Sequence, residues 1–162
     1  MITLTARAAK RWKVAHASLP PVETGAWVVD LMKLGKGPLL VLIVHQETLF
    51  SLLRPAAVVK TLDQVSGEIT RVCPGRAPAV TPLYRNGNRR VTGTITDMKY
   101  MIRVWALHWA LPVVEEKIND TPFSAIGMDL PRERFERFLK GEGDELGRKN
   151  VALKLIPGGR MT

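Results

Sequence analysis

Two pairs of side chains and three runs of cations are the parts of this chain with the types and spacing to do chemistry. His45 and Glu47 stand two apart in an apolar stretch. In an extended segment both would project to one face, as acid/base work or two metal ligands require. No third ligand is evident, and polar residues in a hairpin turn are the plainer account. Arg89 and Asp97 bound the stretch Arg-Arg-Val-Thr-Gly-Thr-Ile-Thr-Asp. The guanidinium offers a planar fork for phosphate or carboxylate, and the carboxylate would orient it. The plainer account is a half-buried ion pair, with Asp97 or Thr96 capping the helix that follows. Combined, His45 and Glu47 would move protons while Arg89 holds a transition-state phosphate, the outline of a small metal-independent ribonuclease of toxin type.

The cations are unevenly spread. Net charge is +9, from 24 basic and 15 acidic residues. Residues 1–20 carry Arg7, Lys10, Arg11 and Lys13 and no carboxylate; residues 85–103 carry Arg85, Arg89, Arg90, Lys99 and Arg103 against Asp97; residues 148–162 carry Arg148, Lys149, Lys154 and Arg160. Three such segments on one face would give the electrostatic footprint of a polyanion binder, against the alternative of a merely solvated surface. Trp12, Tyr84 and Tyr100 stand beside these cations and, if exposed, are positioned to stack on bases; the plainer account puts Trp12 and Tyr100 in the core or at its boundary.

Other chemistries find no support. Gly35-Lys36-Gly37 lacks the spacing of a phosphate loop and suits a hairpin. There is no nucleophile elbow and no zinc-protease helix. Cys73 is the only cysteine, which excludes an intramolecular disulfide and suits a small buried hydrophobe. His108 falls at the edge of a helical apolar arc and His16 follows the first basic run. Neither a metal nor a cofactor is expected. The apolar runs are too short to span a bilayer, and no signal-type segment precedes Arg7, so no membrane partner and a cytoplasmic location are expected.

The elements that must position these groups follow from periodicity. Ile2–Leu4 suits a strand, and Thr5 caps a helix to about Val14 with Ala8, Ala9 and Trp12 inward. Ala26 to Leu34, Leu39 to Val44 and Leu49 to Leu53 predict an antiparallel meander. Val58 to Cys73 has apolar residues at helical spacing. Val91, Gly93 and Ile95 alternate with polar residues, which predicts a strand after the Asn86-Gly87-Asn88 turn. A long core helix from Met98 to Leu111 follows; a helix starting near Val91 is the competing assignment, disfavoured because Val, Thr, Gly and Ile are poor helix formers. Pro112 to Ile118 restarts a helix, Asn119 to Pro122 turns, and Pro131 to Lys140 is a helix burying Phe135, Phe138 and Leu139, with Arg132/Glu136 and Glu133/Arg137 pairs. Val151 to Ile156 is an edge strand or part of a tail. The sum is one α+β domain over 1–162, a small, mainly antiparallel sheet packed against two or three amphipathic helices, with a flexible tail over 141–162.

Leu39 to Leu53 with its Glu47-Thr48-Leu49 break, then Arg89 to Asp97, then Asn119-Asp120-Thr121-Pro122, resemble in that order an uncharacterised bacterial family, domain of unknown function 6933. Some of its members look like plasmid-borne open-reading-frame products. The family core reads Arg-Ser-Val-Leu-Gly-Ser-Met-Asn-Asp, which Arg89, Val91, Gly93 and Asp97 match, while Thr96 replaces its Asn and His45 stands where the break usually opens with Asn. The resemblance covers about residues 2–140 and implies a shared fold and no activity.

From the residues themselves, the leading expectation is a non-catalytic or accessory nucleic-acid-binding protein, RNA or DNA, holding phosphates through Arg7, Lys10, Arg11, Lys13, Arg85, Arg89, Arg90, Lys99 and Arg103. It requires the cationic sides of the amino-terminal helix and the 85–103 segment to lie side by side. An interaction module for an acidic protein partner is the remaining alternative.

Overall fold

A computed structural model describes residues 2–17, 26–75, 83–84 and 89–142, with residues 16–17, 83–84 and 89 described in their backbone alone. β1 (Ile2–Leu4), α1 (Ala6–Trp12) and β2 (His16–Ala17) precede the meander β3 (Trp27–Lys33), β4 (Leu39–His45) and β5 (Ser51–Pro55); α2 (Leu62–Val72), β6 (Leu83–Tyr84), α3 (Arg89–Trp105), α4 (Leu111–Asn119), a 3-10 turn (Ser124–Ile126) and α5 (Pro131–Leu139) follow. The main sheet has the order β1-β3-β4-β5, parallel between β1 and β3 and antiparallel elsewhere; β2 pairs with β6 in a separate ribbon. This is the expected α+β arrangement, with one parallel pair added.

Strand alternation divides the sheet into two apolar faces. Trp27, Val29, Leu31, Val41, Ile43 and Leu52 pack with Ala8 and Ala9 of α1, Val65 and Ile69 of α2 and Phe135 of α5. Val28, Met32, Leu40, Leu42, Val44 and Leu53 pack with Val91, Ile95, Met98 and Ile102 of α3 and Val114 and Ile118 of α4. β4 is central and its Leu40 to Val44 are wholly buried, each side chain contributing about 1.5–3 kcal/mol by leaving water. The result is a three-layer sandwich with α1 and α2 on one face and α3 and α4 on the other.

The segment 91–95 is helix, not strand, and corrects the expectation: α3 already begins at Arg89. Val91, Ile95, Met98 and Ile102 form one stripe buried against the sheet, and that burial outweighs the weak propensity of the Thr and Gly residues between them. Thr94 and Thr96 satisfy their hydroxyls by donating to the carbonyls of Arg90 and Thr92, four residues back, at 3.0 Å each. Thr96 and Asp97 therefore cap nothing; both are exposed in mid-helix. α2 also starts later than expected. Thr61 and Gln64 form a reciprocal capping box, which fixes the start at Leu62 and leaves Val58 outside and exposed. α3 stops at Trp105, so Trp109 lies in the turn before α4 and is half-exposed rather than core.

The free edge of β5 is closed by side chains. Asn119, expected in a turn, is the buried last residue of α4; its carboxamide accepts from Ser51 N–H and donates to Ser51 C=O, both at 2.8 Å, as a neighbouring strand would. Glu115, one turn earlier, accepts from Leu53 N–H at 2.6 Å. Arg54 then ties Glu115 to Glu68 of α2 at 2.6 Å each. Burial works against the Arg54 charge, but hydrogen bonds and attraction from Glu68 and Glu115 outweigh it and raise its pKa. An edge sealed this way offers no template for a further strand.

Candidate functional site

His45 and Glu47, singled out by type and spacing, are not brought together as a site. His45 is wholly buried. Its Nδ1 lies 2.9 Å from Thr48 Oγ1, and its ring sits against Trp27, Phe135 and Phe138 at centroid distances of 4.9, 5.5 and 4.4 Å. Glu47 is exposed on the turn between β4 and β5. That turn is tight enough to hold Leu49 at φ 60, so the segment is not extended and the shared-face argument does not apply. Arg89 and Asp97 lie eight residues apart on one helix, a backbone rise of about 12 Å, and the Arg89 side chain lies outside the described residues. Among the described residues no group of three His, Cys, Asp or Glu is arranged to hold a metal ion, and no helix is long and apolar enough to cross a membrane.

Lys99, expected to meet phosphate, is turned inward. Its ammonium pairs with Asp30 Oδ2 on β3, with the lysine side chain 15% and the aspartate side chain 6% exposed. Asp30 Oδ1 also accepts from Thr5 Oγ1 at 2.5 Å and from Leu31 N–H at 2.8 Å. Asp30 thus joins the start of α1, the centre of the sheet and α3, and Lys99 is structural.

The remaining cations divide by the end of the sheet at which they lie. At one end is the β3–β4 hairpin, Leu34 to Pro38, closed by Gly37 N–H on Leu34 C=O at 2.6 Å. Gly35 takes φ +52, and a Cβ on Gly37 would fall 2.8 Å from the Leu34 carbonyl oxygen, so this turn needs both glycines. Lys33 and Lys36 are exposed here. Arg11 reaches the same end from the α1 side, donating to Ala56 C=O at 2.9 Å; Ala56 N–H in turn bonds Leu39 C=O at the start of β4. Arg11, Pro38, Leu39, Pro55, Ala56 and Lys60 line a shallow groove. Trp12, half-buried, fixes the backbone of Lys60 through Nε1 to its carbonyl at 2.9 Å. From the other face Arg103 of α3 leans on Lys33 C=O at 3.5 Å. Lys33 and Leu39 are register partners. The two arginine anchors, Ala56 on the β5 side and Lys33 on the β3 side, are therefore separated by little more than two strand spacings, about 10 Å.

Helices α1 and α3 do not present one face, which corrects the expectation that their cationic sides lie side by side: the sheet stands between them. Their ends nevertheless bring Arg11 and Arg103 to the two sides of one hairpin. Arg7, Lys10 and Lys13 are exposed along α1. Arg90, at the far end of α3, donates to Ser124 C=O at 3.2 Å and is remote from the hairpin. Arg85 and residues 148–162 lie outside the described residues, as does the side chain of Arg89. Among the described residues no carboxylate pairs with Arg7, Lys10, Arg11, Lys13, Lys33, Lys36, Lys60 or Arg103.

Lys33, Lys36 and Lys60 were not among the residues expected at the site. Lys33 and Lys36 stand three apart and Lys60 stands by itself, all outside the three basic runs, and only the hairpin and the Trp12 contact bring them near Arg11 and Arg103. Lys36 next to two glycines was the one visible signal, since a hairpin tip is exposed by construction.

Comparison of the chain with protein-family models, curated proteins and solved structures finds no match. Function rests on the geometry alone.

Proposed function

We propose that this protein binds nucleic acid without catalysing a reaction on it, and that the hairpin end of the sheet is the contact. The observation that supports this most is the placing of Arg11 and Arg103 on either side of the hairpin that carries Lys33 and Lys36, with Lys60 beside Arg11. The carbonyls that hold Arg11 and Arg103 are about 10 Å apart, comparable with the Debye length of about 8 Å at physiological salt, so the fields of the two guanidinium groups overlap where a phosphate backbone would approach. Each arginine is tethered through a carbonyl and keeps other N–H donors for phosphate oxygens. Arg7, Lys10 and Lys13 extend the field along α1, while Asp63, exposed three residues after Lys60, limits it on the α2 side. A ribonuclease built on His45 and Glu47 draws no support, because a histidine enclosed by Trp27, Phe135 and Phe138 has no path to a substrate.

Such binding is sequence-independent, and its logarithm falls linearly with the logarithm of salt concentration. Fluorescence anisotropy of a labelled oligonucleotide, titrated at salt from about 50 to about 200 mM, should show affinity falling by at least roughly tenfold. Affinity that stays level across that range contradicts the proposal. Co-purifying material that nuclease treatment leaves intact would point instead to an acidic protein partner.

A further inference from the structure

One aromatic side chain beside this cluster is placed for a task that phosphate binding leaves undone. Tyr100 is 69% exposed on α3, one turn before Arg103, so the two side chains share a face of the helix. The expectation that Tyr100 belongs to the core or its boundary is thereby overturned. Arg103 is held on the Lys33 carbonyl, which keeps its guanidinium and the Tyr100 ring on one side of the hairpin root, while the Lys33 side chain, in register with Leu39, belongs to the opposite face of the strand. Trp109, the other exposed aromatic among the described residues, already carries the Lys117 ammonium 4.1 Å from its ring centroid. Asp97, one turn before Tyr100 and exposed, repels phosphate and directs a bound strand from Tyr100 toward Arg103 and the hairpin.

Resting on the nucleic-acid proposal above, we infer that the site prefers unpaired strands, with a base stacked on Tyr100 while Arg103 and, at the hairpin tip, Lys36 hold the phosphates that follow. An exposed ring among cations is the combination that single-strand sites use, because every base has a π-face; in a duplex those faces are already occupied by neighbouring bases. A lipid surface would instead engage Leu107, which is 79% exposed one turn past Arg103. Tyr100 is better suited to a single base, since three of its helical neighbours, Thr96, Asp97 and Arg103, are polar and the fourth, Val104, is 40% exposed, a small apolar area flanked by charge.

The test compares anisotropy titrations of three labelled probes of equal length: an oligodeoxythymidine strand, an abasic strand and a duplex. The wild type should bind the thymidine strand about tenfold more tightly than the abasic strand. Tyr100→Ala should erase that margin and leave the abasic and duplex affinities unchanged, whereas Tyr100→Phe should preserve it. Lys36→Ala should weaken all three probes together. Equal, salt-dependent binding of the thymidine and abasic strands by the wild type overturns the stacking inference while the phosphate contact stands. Binding of none of the probes overturns both, as does co-sedimentation with phosphatidylglycerol vesicles in the absence of any oligonucleotide binding. Tyr100 is exposed, so both variants should fold, which matching far-ultraviolet circular dichroism verifies.

Discussion

The two ends of the sheet use their cations in opposite ways. Around α5 and the end of α4, Arg132 meets Asp120 at 2.7 Å, Arg134 meets Asp129 at 3.7 Å and Arg137 meets Glu133 at 3.9 Å. The hydrogen bond to Asp120 raises the pKa of Arg132 against a smaller opposing effect of burial. At the hairpin end Arg11 and Arg103 find only carbonyl oxygens, and Lys33, Lys36 and Lys60 find no carboxylate among the described residues. A cation already paired contributes little field outside the molecule; one tethered to a neutral carbonyl keeps its full charge for a ligand. The net charge of +9 therefore says less about binding than the pairing does.

That contrast is broken most strongly by the cation that belongs to neither end. Lys99→Met should lower unfolding free energy by about 3 kcal/mol, because it leaves the Asp30 carboxylate buried without its partner; urea titration should show the loss, with the salt slope of oligonucleotide binding unchanged. Arg54→Ala should cost about 2 kcal/mol in the same measurement, since Glu68 and Glu115 then face each other at the β5 edge without the cation between them. Replacing Lys33, Lys36 and Lys60 together by alanine should do the reverse. Stability should stay within about 0.5 kcal/mol per site, while binding at physiological salt weakens by roughly tenfold or more and the salt slope falls by about 2 for a single strand. Arg132→Ala, at an exposed pair, should change stability by about 0.5 kcal/mol and binding not at all. If Arg132→Ala weakened oligonucleotide binding as much as the lysine triple, the distinction between the two ends would fail.

Asp97 sharpens the same point from the other side. Asp97→Asn removes the carboxylate beside Tyr100 and should strengthen binding of the thymidine strand by roughly twofold, an effect that disappears at high salt. Unchanged affinity at low salt would place the bound strand elsewhere on the hairpin end.

Much of the fold could be read from spacing. The β3–β5 meander, Thr5 as the cap of α1 and the helix from Pro131 announce themselves through period-two and period-3.6 burial and through cap and turn residues, which act over a few positions. The Glu133/Arg137 pair forms as four-residue spacing suggests, but Arg132 leaves Glu136 for Asp120. Leu139, expected inside, is 41% exposed at the end of its helix. The error at 91–95 has a definite cause: Val91 and Ile95 fit a strand over five residues and a helix over twelve, and the longer stripe through Met98 and Ile102 decides. His45 was legible as a histidine near a turn but not as a ring enclosed by aromatics from α5, which lies some ninety residues further along the chain.

The sequence by itself determined where apolar stripes, caps and turns fall, because each is a matter of neighbours a few residues apart. It also determined that cations exceed carboxylates and that Cys73 has no partner cysteine. Only the tertiary structure decided which charges are available. Asp30 and Lys99, Arg54 and Glu68, and Arg11 and Arg103 are each brought into relation by the stacking of helices on two faces of one sheet. Placements that relate residues 14 to 92 positions apart depend on how buried surfaces fit together, and local pattern carries no information about that.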